Sequence, residues 1–337
     1  MNSLVALIRF GLFGADIPEG VLPTTEEGWR RLFDLSRRQA VTALAYDAIL
    51  KLPQEQRPPR RILFHFTSMT QTIEADNRRR EEALEHFAGL MERELSLPTV
   101  VVKGSSLAQF YPNPLHRECG DNDLYTGADT ERVAKMMEAR GVAVDRKDPR
   151  HITFSFESVT FECHNYLLYH NDDIDWKTEP VRDSDLLALQ REHSAFFLAK
   201  HIEHHSVFFH EAVPLRSLLD WCLLTGADGF DCSGFAELKK DTDVDVFADY
   251  VSLYCNNLLG LQLPFDTVCL KAKGLSSDDF EHIYMYQPER SRWALVRVVR
   301  RSWKYLRYRR QYRAIYGQSM FRRFYFRNLG IAIRQHI

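Results

Sequence analysis

The stretch PTVVVKGSSLAQFYPNPLHRECGDNDLYTG (98–127) carries three successive structural signals. PTVVVKGSS is rich in β-branched residues and ends in Gly-Ser, which predicts a strand followed by a turn. SLAQFYPNP suits a short helix that ends at Pro112 and Pro114, because proline cannot continue a helix. CGDNDLYTG (119–127) suits a short strand. The stretch therefore predicts a strand–helix–strand unit.

The residues that follow extend this unit. DTERVAKMMEARG (129–141) has apolar residues at helical spacing and ends in Gly141, the residue typical of helix C-termini. VAVDRKD, HITFSFESV and VTFECHNYLL predict three further strands, and the last two alternate apolar and polar residues. Residues from about 96 to 170 are thus expected to form a compact β-α-β-α-β-β-β unit.

Helical patterns flank this unit on both sides. In the first hundred residues, Thr24 and Glu27 have the spacing of a capping box, and a long amphipathic stretch runs from about Arg61 to Leu95. The helical period returns from about Asp183. The predicted fold class is α+β, with a small mixed β-sheet core flanked by N- and C-terminal helical segments. We predict a helical segment at 1–95, the core at 96–182 and a helical domain at 183–337.

Composition narrows the class of protein. The formal net charge of the 337-residue chain is −2, so the chain as a whole does not have the large net charge typical of proteins that bind polyelectrolytes. No apolar run approaches the roughly 20 residues that cross a bilayer, and the N-terminus does not have the pattern of a signal peptide. The six cysteines form no C-x-x-C pair, which suits free thiols in a reducing compartment. We therefore expect a cytoplasmic protein without a transmembrane segment.

Two aspartates stand one residue apart in the strand at 119–127. Residues two apart in a strand project to the same face, so Asp121 and Asp123 present two carboxylates side by side. Their mutual repulsion favours a bound cation, and hard oxygen ligands suit Mg²⁺ or Mn²⁺. Glu162 lies in a later strand and shares a face with Thr160 and His164, which adds a third acid. A solvated turn is the alternative for D-x-D alone.

The KGSS segment (103–106) adds a second chemical signal. A Gly-Ser pair at the end of an apolar strand, just before a helix, offers backbone N–H groups and a hydroxyl to a phosphate. Lys103 supplies a positive charge beside it. Three acids and a phosphate-binding turn together predict a phosphoryl-transfer site with two metal ions.

These segments resemble a known family. The bacterial uncharacterised nucleotidyltransferase family carries a K-G-x-x-L-A segment and a Y-P-x-P turn, which are similar to VVKGSSLAQFYPNP here. Its R-x-x-G-D-x-D-L strand is similar to RECGDNDLY, and its later E-x-H is similar to FECHNYLL. That family belongs to the DNA polymerase β-like nucleotidyltransferase superfamily. The resemblance covers most of the chain and implies a small mixed-sheet nucleotidyltransferase core.

The resemblance also implies the site residues and the reaction. It assigns catalysis and metal binding to Asp121, Asp123 and Glu162, and nucleotide binding to Lys103, Gly104, Ser105 and Arg117. The implied reaction moves a nucleoside monophosphate from an NTP to an unidentified hydroxyl or phosphate acceptor, with Mg²⁺ or Mn²⁺ as cofactor. One departure is Asn122, where the family has an apolar residue, and it predicts a strand less buried than usual.

Other functions stay open at this stage. A D-x-D glycosyltransferase needs a longer N-terminal α/β nucleotide-binding half of the chain before the motif. Here the pattern of the first hundred residues is helical instead. A non-catalytic nucleotide- or nucleic-acid-binding protein of the toxin–antitoxin type keeps the fold and binds through the Arg- and aromatic-rich tail at about 290–327. That tail suits nucleic acid, an acidic partner, a membrane surface or packing on the protein body. His201 and His205 are four residues apart, the spacing of a metal pair or of a packed helix face.

Overall fold

A computed structural model describes residues 2–168, 174–207, 212–240, 242, 244–265, 268–285 and 303–317. The chain forms two compact units, Met1–Phe197 and Leu198–Ile337. The predicted 96–182 core lies inside the first of these units. Within the described ranges, no helix combines the length and the apolar character that a membrane span requires.

The first unit begins with four helices, which agrees with the predicted helical character of the N-terminal segment. They are α1 (Asn2–Phe13), α2 (Glu26–Arg38), α3 (Thr42–Lys51) and α4 (Arg60–Leu90). Helix α4 has 31 residues, and a π-helical turn at Met91–Leu95 follows it. The long amphipathic stretch predicted from about residue 61 to residue 95 is thereby confirmed.

The start of α2 differs by one residue from the prediction. The hydroxyl of Thr25 accepts a hydrogen bond from the backbone N–H of Gly28, so Thr25 rather than Thr24 is the N-cap. Glu27 does not complete a capping box, because its carboxylate pairs with Arg31 in the next turn of the helix. The Thr24 prediction is therefore wrong, since two adjacent threonines offered the same hydroxyl.

The middle of the chain confirms the predicted β-α-β-α-β-β-β order. Its elements are β1 (Val100–Val101), α5 (Ser105–Ala108), β2 (Asn122–Tyr125), α6 (Thr130–Glu138), β3 (Val144–Asp145), β4 (His151–Phe156) and β5 (Val159–His164). Two short strands that the sequence did not predict complete the sheet, β6 (Thr178–Pro180) and β7 (Leu187–Leu189).

These strands form one mixed seven-stranded sheet in the order β3-β4-β5-β2-β1-β7-β6. Strand β2 runs parallel to β5, and β1 runs parallel to β7. The remaining neighbours are antiparallel. The two strands predicted to carry acids, β2 and β5, are therefore direct neighbours at the centre of the sheet.

One face of the sheet forms an apolar core within the first unit. Val159, Phe161 and Cys163 alternate along β5 and are buried with residues of α4 and α6. The rings of Phe87 in α4 and Phe161 lie 4.9 Å apart between centroids. Because side chains alternate across a strand, the polar residues between them, including Glu162, point to the opposite face. This confirms the facing predicted for β5.

The second unit is helical, as predicted. Helix α7 (Arg191–Val207) begins in the first unit. Among the described residues, the helices that follow it include α8 (Leu215–Thr225), α9 (Cys232–Lys239), α10 (Asp245–Leu259), α11 (Val268–Ala272), α12 (Ser277–Phe280) and α13 (Arg309–Tyr316). Trp221 is fully buried beside the rings of Phe235 and Phe265, and its indole N–H donates to the Ser252 hydroxyl at 2.9 Å.

The basic, aromatic tail predicted at about 290–327 is described only at residues 303–317. Within this part, Tyr312, Ile315 and Tyr316 are buried, whereas the arginines of α13 are exposed. The Tyr316 hydroxyl lies 3.3 Å from that of Tyr284 in the same unit. This arrangement favours the packing interpretation for residues 303–317. The rest of the tail lies outside the described residues.

Candidate active site

The register of β2 and β5 brings the predicted acids together. Asp123 of β2 lies directly opposite Glu162 of β5, and Asp121 precedes the first residue of β2. Carboxylate oxygens of Asp121, Asp123 and Glu162 all lie within 4.8 Å of one another. Three acidic side chains at two strands that are distant in the sequence thus face a common point beside the sheet.

Asp123 is the most deeply placed of the three, and two basic groups contact it. Its side chain is 2 % exposed, with the Lys103 Nζ 2.9 Å from Oδ2 and the His164 Nε2 3.1 Å from Oδ1. Burial opposes ionisation, but the Lys103 ammonium and the His164 hydrogen bond hold the pKa of the Asp123 carboxyl well below its usual range. Asp123 is therefore ionised.

Glu162 has the opposite electrostatic environment. Burial raises the pKa of its carboxyl, and the negative charges of Asp123 and Asp121 raise it further. A divalent cation at this point removes the repulsion, and three carboxylates supply the hard oxygen ligands that Mg²⁺ and Mn²⁺ take in proteins. The three acids therefore fit such an ion.

The KGSS turn lies directly against the aspartates. Gly104 adopts φ +65°, a conformation that L side chains rarely adopt, and a Cβ at this position would lie 3.8 Å from the backbone oxygen of Asp121. Helix α5 begins at Ser105, which is half-buried, whereas the Ser106 hydroxyl is buried and donates to the Lys103 carbonyl. Ser105 therefore offers the accessible hydroxyl of the turn.

A comparison with protein families identifies the family of this chain. A family described as "Uncharacterised nucleotidyltransferase" matches residues 25–260, more than half of the chain. The chain belongs to this nucleotidyltransferase family. No curated protein and no solved structure matches the chain. The family assignment therefore rests on the matched sequence, and the placement of individual site residues rests on the structure.

A cavity lies next to the turn of this nucleotidyltransferase. Its volume is ≈ 540 Å³, and its lining includes Ser105 and Gln109 near α5, Asn113 after it, and Arg182 and Ser184 before β7. Small-molecule sites typically have volumes of about 300–1,000 Å³. The first unit therefore contains a space of small-molecule size beside Ser105.

Helices α3 and α4 hold the loop that leads into the acids. From α4, the Asn77 side chain donates to the carbonyls of Leu115 and Arg117, at 2.7 and 2.9 Å. The Thr42 backbone N–H at the start of α3 donates to the Glu118 carboxylate at 2.6 Å. A loop fixed at several points before β2 gives the aspartates of the nucleotidyltransferase a defined position.

Arg117 and Asn122 are both buried parts of this anchored loop and strand. The Arg117 side chain is 3 % exposed and its Nη1 donates to the Cys119 sulfur at 3.0 Å, which favours a role in positioning the strand. Asn122 is also 3 % exposed, and its side-chain amide lies 3.4 Å from the Arg80 carbonyl. The prediction of a less buried strand is therefore wrong, because a backbone carbonyl of α4 accepts a hydrogen bond from the Asn122 side chain and so allows its burial.

The buried His116 makes the anchoring pH-dependent. Its Nδ1 lies 2.6 Å from Asp47 in α3 and its Nε2 lies 2.9 Å from Glu74 in α4. Burial opposes protonation, but the hydrogen bonds to the two carboxylates dominate and raise the pKa of His116 above its usual 6.5. The protonated ring therefore stabilises the fold below about pH 6.5, and this contribution is lost as the pH rises through the raised pKa.

A His116→Gln variant is thus expected to lose stability mainly at low pH. We expect about 1.5–3 kcal/mol at about pH 6, as for hydrogen bonds to charged groups, and a smaller loss at about pH 9. Urea denaturation at both values measures the difference. His86→Gln is the control, because His86 and its partner Glu157 are both exposed and should contribute at most about 1 kcal/mol. An equal loss for His116→Gln at both values contradicts the prediction.

Two histidines of the site were not among the predicted site residues. His164 follows Glu162 by two residues, so their shared strand face was the signal that could have identified it. His151 lies opposite His164 in the antiparallel pair of β4 and β5, with ring centroids 4.9 Å apart. Burial lowers the pKa of His151. Only the register of the two strands reveals this second histidine of the nucleotidyltransferase.

Proposed function

We propose that this nucleotidyltransferase binds Mg²⁺ or Mn²⁺ on Asp121, Asp123 and Glu162 and transfers a nucleoside monophosphate from an NTP to a hydroxyl or phosphate acceptor. The observation that carries the proposal is the convergence of the three carboxylates within 4.8 Å. Three oxygen ligands beside a glycine turn are the parts that metal-dependent phosphoryl transfer requires.

The proposed reaction joins the acceptor oxygen to the α-phosphorus as the bond to pyrophosphate breaks. When bound, divalent ions activate the acceptor oxygen and neutralise the charge of the leaving pyrophosphate. Gly104 and Ser105 would hold the phosphates through backbone N–H groups and the hydroxyl. Glu162, which lies directly opposite Asp123, would also take the proton of the acceptor hydroxyl.

Lys103 would change partner in this proposal. Its ammonium is now the positive charge beside Asp123, at 2.9 Å. A divalent ion at the same carboxylate would supply that charge instead. The Lys103 ammonium could then contact a phosphate oxygen, because Lys103 directly precedes Gly104 in the turn. Arg117 is buried and would act on the phosphates through the position of β2 rather than by direct contact.

A thermal-shift panel tests the binding step. It compares ATP, CTP, GTP, UTP and several nucleotide-sugars, each with and without Mg²⁺ or Mn²⁺, on the wild type and an Asp121→Ala/Asp123→Ala variant. A ligand at about one hundred times its Kd stabilises the protein by roughly 2.7 kcal/mol. We expect a metal-dependent shift with at least one NTP that the double variant does not show. Asp145→Ala is the control, an exposed acid of the same sheet.

The other outcomes identify the alternatives. A shift with nucleotide-sugars alone would favour glycosyl transfer on the same D-x-D. No shift with any nucleotide would favour a non-catalytic binding protein, and the tail at about 290–327 would then be tested against RNA, DNA and acidic partners. The cytoplasmic location stays a prediction from the sequence.

A further inference from the structure

A second group of potential metal ligands lies beside the three acids. It consists of His151, Glu162 and His164, whose ligand atoms also lie within 4.8 Å of one another. The Glu162 Oε2 is 3.8 Å from the Nε2 of each histidine. Among the described residues, only these two groups bring three potential metal ligands together, and both groups include Glu162.

The strands hold the second group in a fixed arrangement. His151 of β4 and His164 of β5 are direct cross-strand neighbours, and Glu162 lies two residues before His164 on the same face. The side chains of His151 and His164 are 12 % and 9 % exposed, and that of Glu162 is 26 % exposed. The ligands are therefore ordered by the sheet, and the more exposed carboxylate leaves a path for an ion.

The two groups differ in ligand chemistry. Asp121, Asp123 and Glu162 offer only oxygen atoms, which suit Mg²⁺. Two imidazoles and one carboxylate suit Zn²⁺ and related transition metals, and three protein ligands leave a further coordination position open. The sheet therefore places a softer, nitrogen-containing set next to a hard, oxygen-only set.

We propose that His151, Glu162 and His164 bind one transition-metal ion, with Zn²⁺ as the test ion, at a site distinct from the one that Asp121 and Asp123 define. The Glu162 Oε2 and one ring nitrogen of each histidine are its protein ligands. The His164 Nε2, which lies 3.1 Å from Asp123 Oδ1, would exchange that hydrogen bond for the ion. The site shares Glu162 with the proposed nucleotidyl-transfer site but includes neither aspartate, so variants of the aspartates and of His151 test the two sites separately.

The histidine-rich helix α7 is the competing site for Zn²⁺. The rings of His201 and His205 lie 4.3 Å apart between centroids, which also suits a metal pair. Neither histidine belongs to a cluster of three ligands within the described part of the chain. A His201→Gln/His205→Gln variant therefore removes this competitor and serves as the background for the measurements.

The test is a Zn²⁺ titration of the full-length, metal-free protein in competition with a chromophoric chelator. In the His201→Gln/His205→Gln background we expect one Zn²⁺ per chain. Adding His151→Gln should weaken Zn²⁺ binding by at least about 100-fold, since loss of even an outer partner of a ligand costs about 10–100-fold. His86→Gln, an exposed histidine of the same unit, should leave the affinity unchanged.

Two further measurements separate the explanations. Asp121→Asn should keep Zn²⁺ binding even where it loses metal-dependent NTP binding, so failure of the proposed function does not decide this site. X-ray absorption of the Zn²⁺-loaded background variant, which retains His151 and His164, should show two imidazole nitrogens at about 2.0–2.1 Å. An all-oxygen shell, no bound Zn²⁺, or an affinity that His151→Gln does not change overturns the proposal.

Discussion

An Asp121→Asn/Asp123→Asn variant is expected to release pyrophosphate from NTP at least about 10³-fold more slowly than the wild type. Both changes remove a negatively charged ligand from the cluster within 4.8 Å of Glu162 and keep the size of the side chain. Loss of a single stabilising group at a charged transition state commonly costs about 10²–10³-fold, and here two are lost.

The measurement follows labelled pyrophosphate from each NTP with Mg²⁺ or Mn²⁺. A metabolite extract and a total RNA extract serve as separate sources of the unidentified acceptor. Asp145→Asn, an exposed acid in β3, is the matched control and should release pyrophosphate at the wild-type rate. Equal rates for the double variant and the wild type would remove the two aspartates from the catalytic site.

A Lys103→Met variant is expected to lose about 3–5 kcal/mol of unfolding free energy in the absence of divalent metal. Asp123 is 2 % exposed, and Lys103 is 2.9 Å away and itself only 19 % exposed. Removing Lys103 leaves the buried Asp123 charge with only the His164 hydrogen bond, and breaking a buried ion pair in this way costs about 3–5 kcal/mol. Since a divalent ion supplies the missing positive charge, Mg²⁺ or Mn²⁺ should restore part of the loss.

Urea denaturation with EDTA and with each metal measures this effect. Lys147→Met is the matched control, because Lys147 is 90 % exposed and its solvent-screened pair with Asp145 should contribute little to the unfolding free energy. A Lys103→Met/Asp123→Asn double variant should lose less than Lys103→Met alone, since the buried charge is then absent. A loss that neither metal nor Asp123→Asn reduces would show that Lys103 stabilises the fold by packing.

Local sequence patterns predicted the central part of the fold. The β-branched run before KGSS, the alternation along β5 and the glycine after α6 each determine structure through neighbouring residues, and the predicted element order is confirmed. The strand face of Glu162 also followed from the period of two. Local chemistry was sufficient wherever the cause lay within a few residues.

Long-range pairing determined what the sequence did not predict. Strand β7 has three residues and pairs with β1 from almost ninety positions away, so no local period identifies it. The partner of His164 depends on the turn at Glu157–Ser158, where both residues have positive φ without the glycine or asparagine usual in such turns. The burial of Asn122 depends on the Arg80 carbonyl, forty-two positions earlier.

The bonds from α3 and α4 to the loop before β2 have a consequence for engineering and for evolution. Hydrogen bonds cross the predicted boundary at residue 95, and the residues that make them on its N-terminal side are Asn77, Thr42, Glu74 and Asp47. A shortened version that begins at residue 96 would leave Leu115, His116 and Glu118 without these partners. The sheet therefore cannot be separated from the N-terminal helices, and a shortened or transplanted form of this enzyme must contain those helices as well.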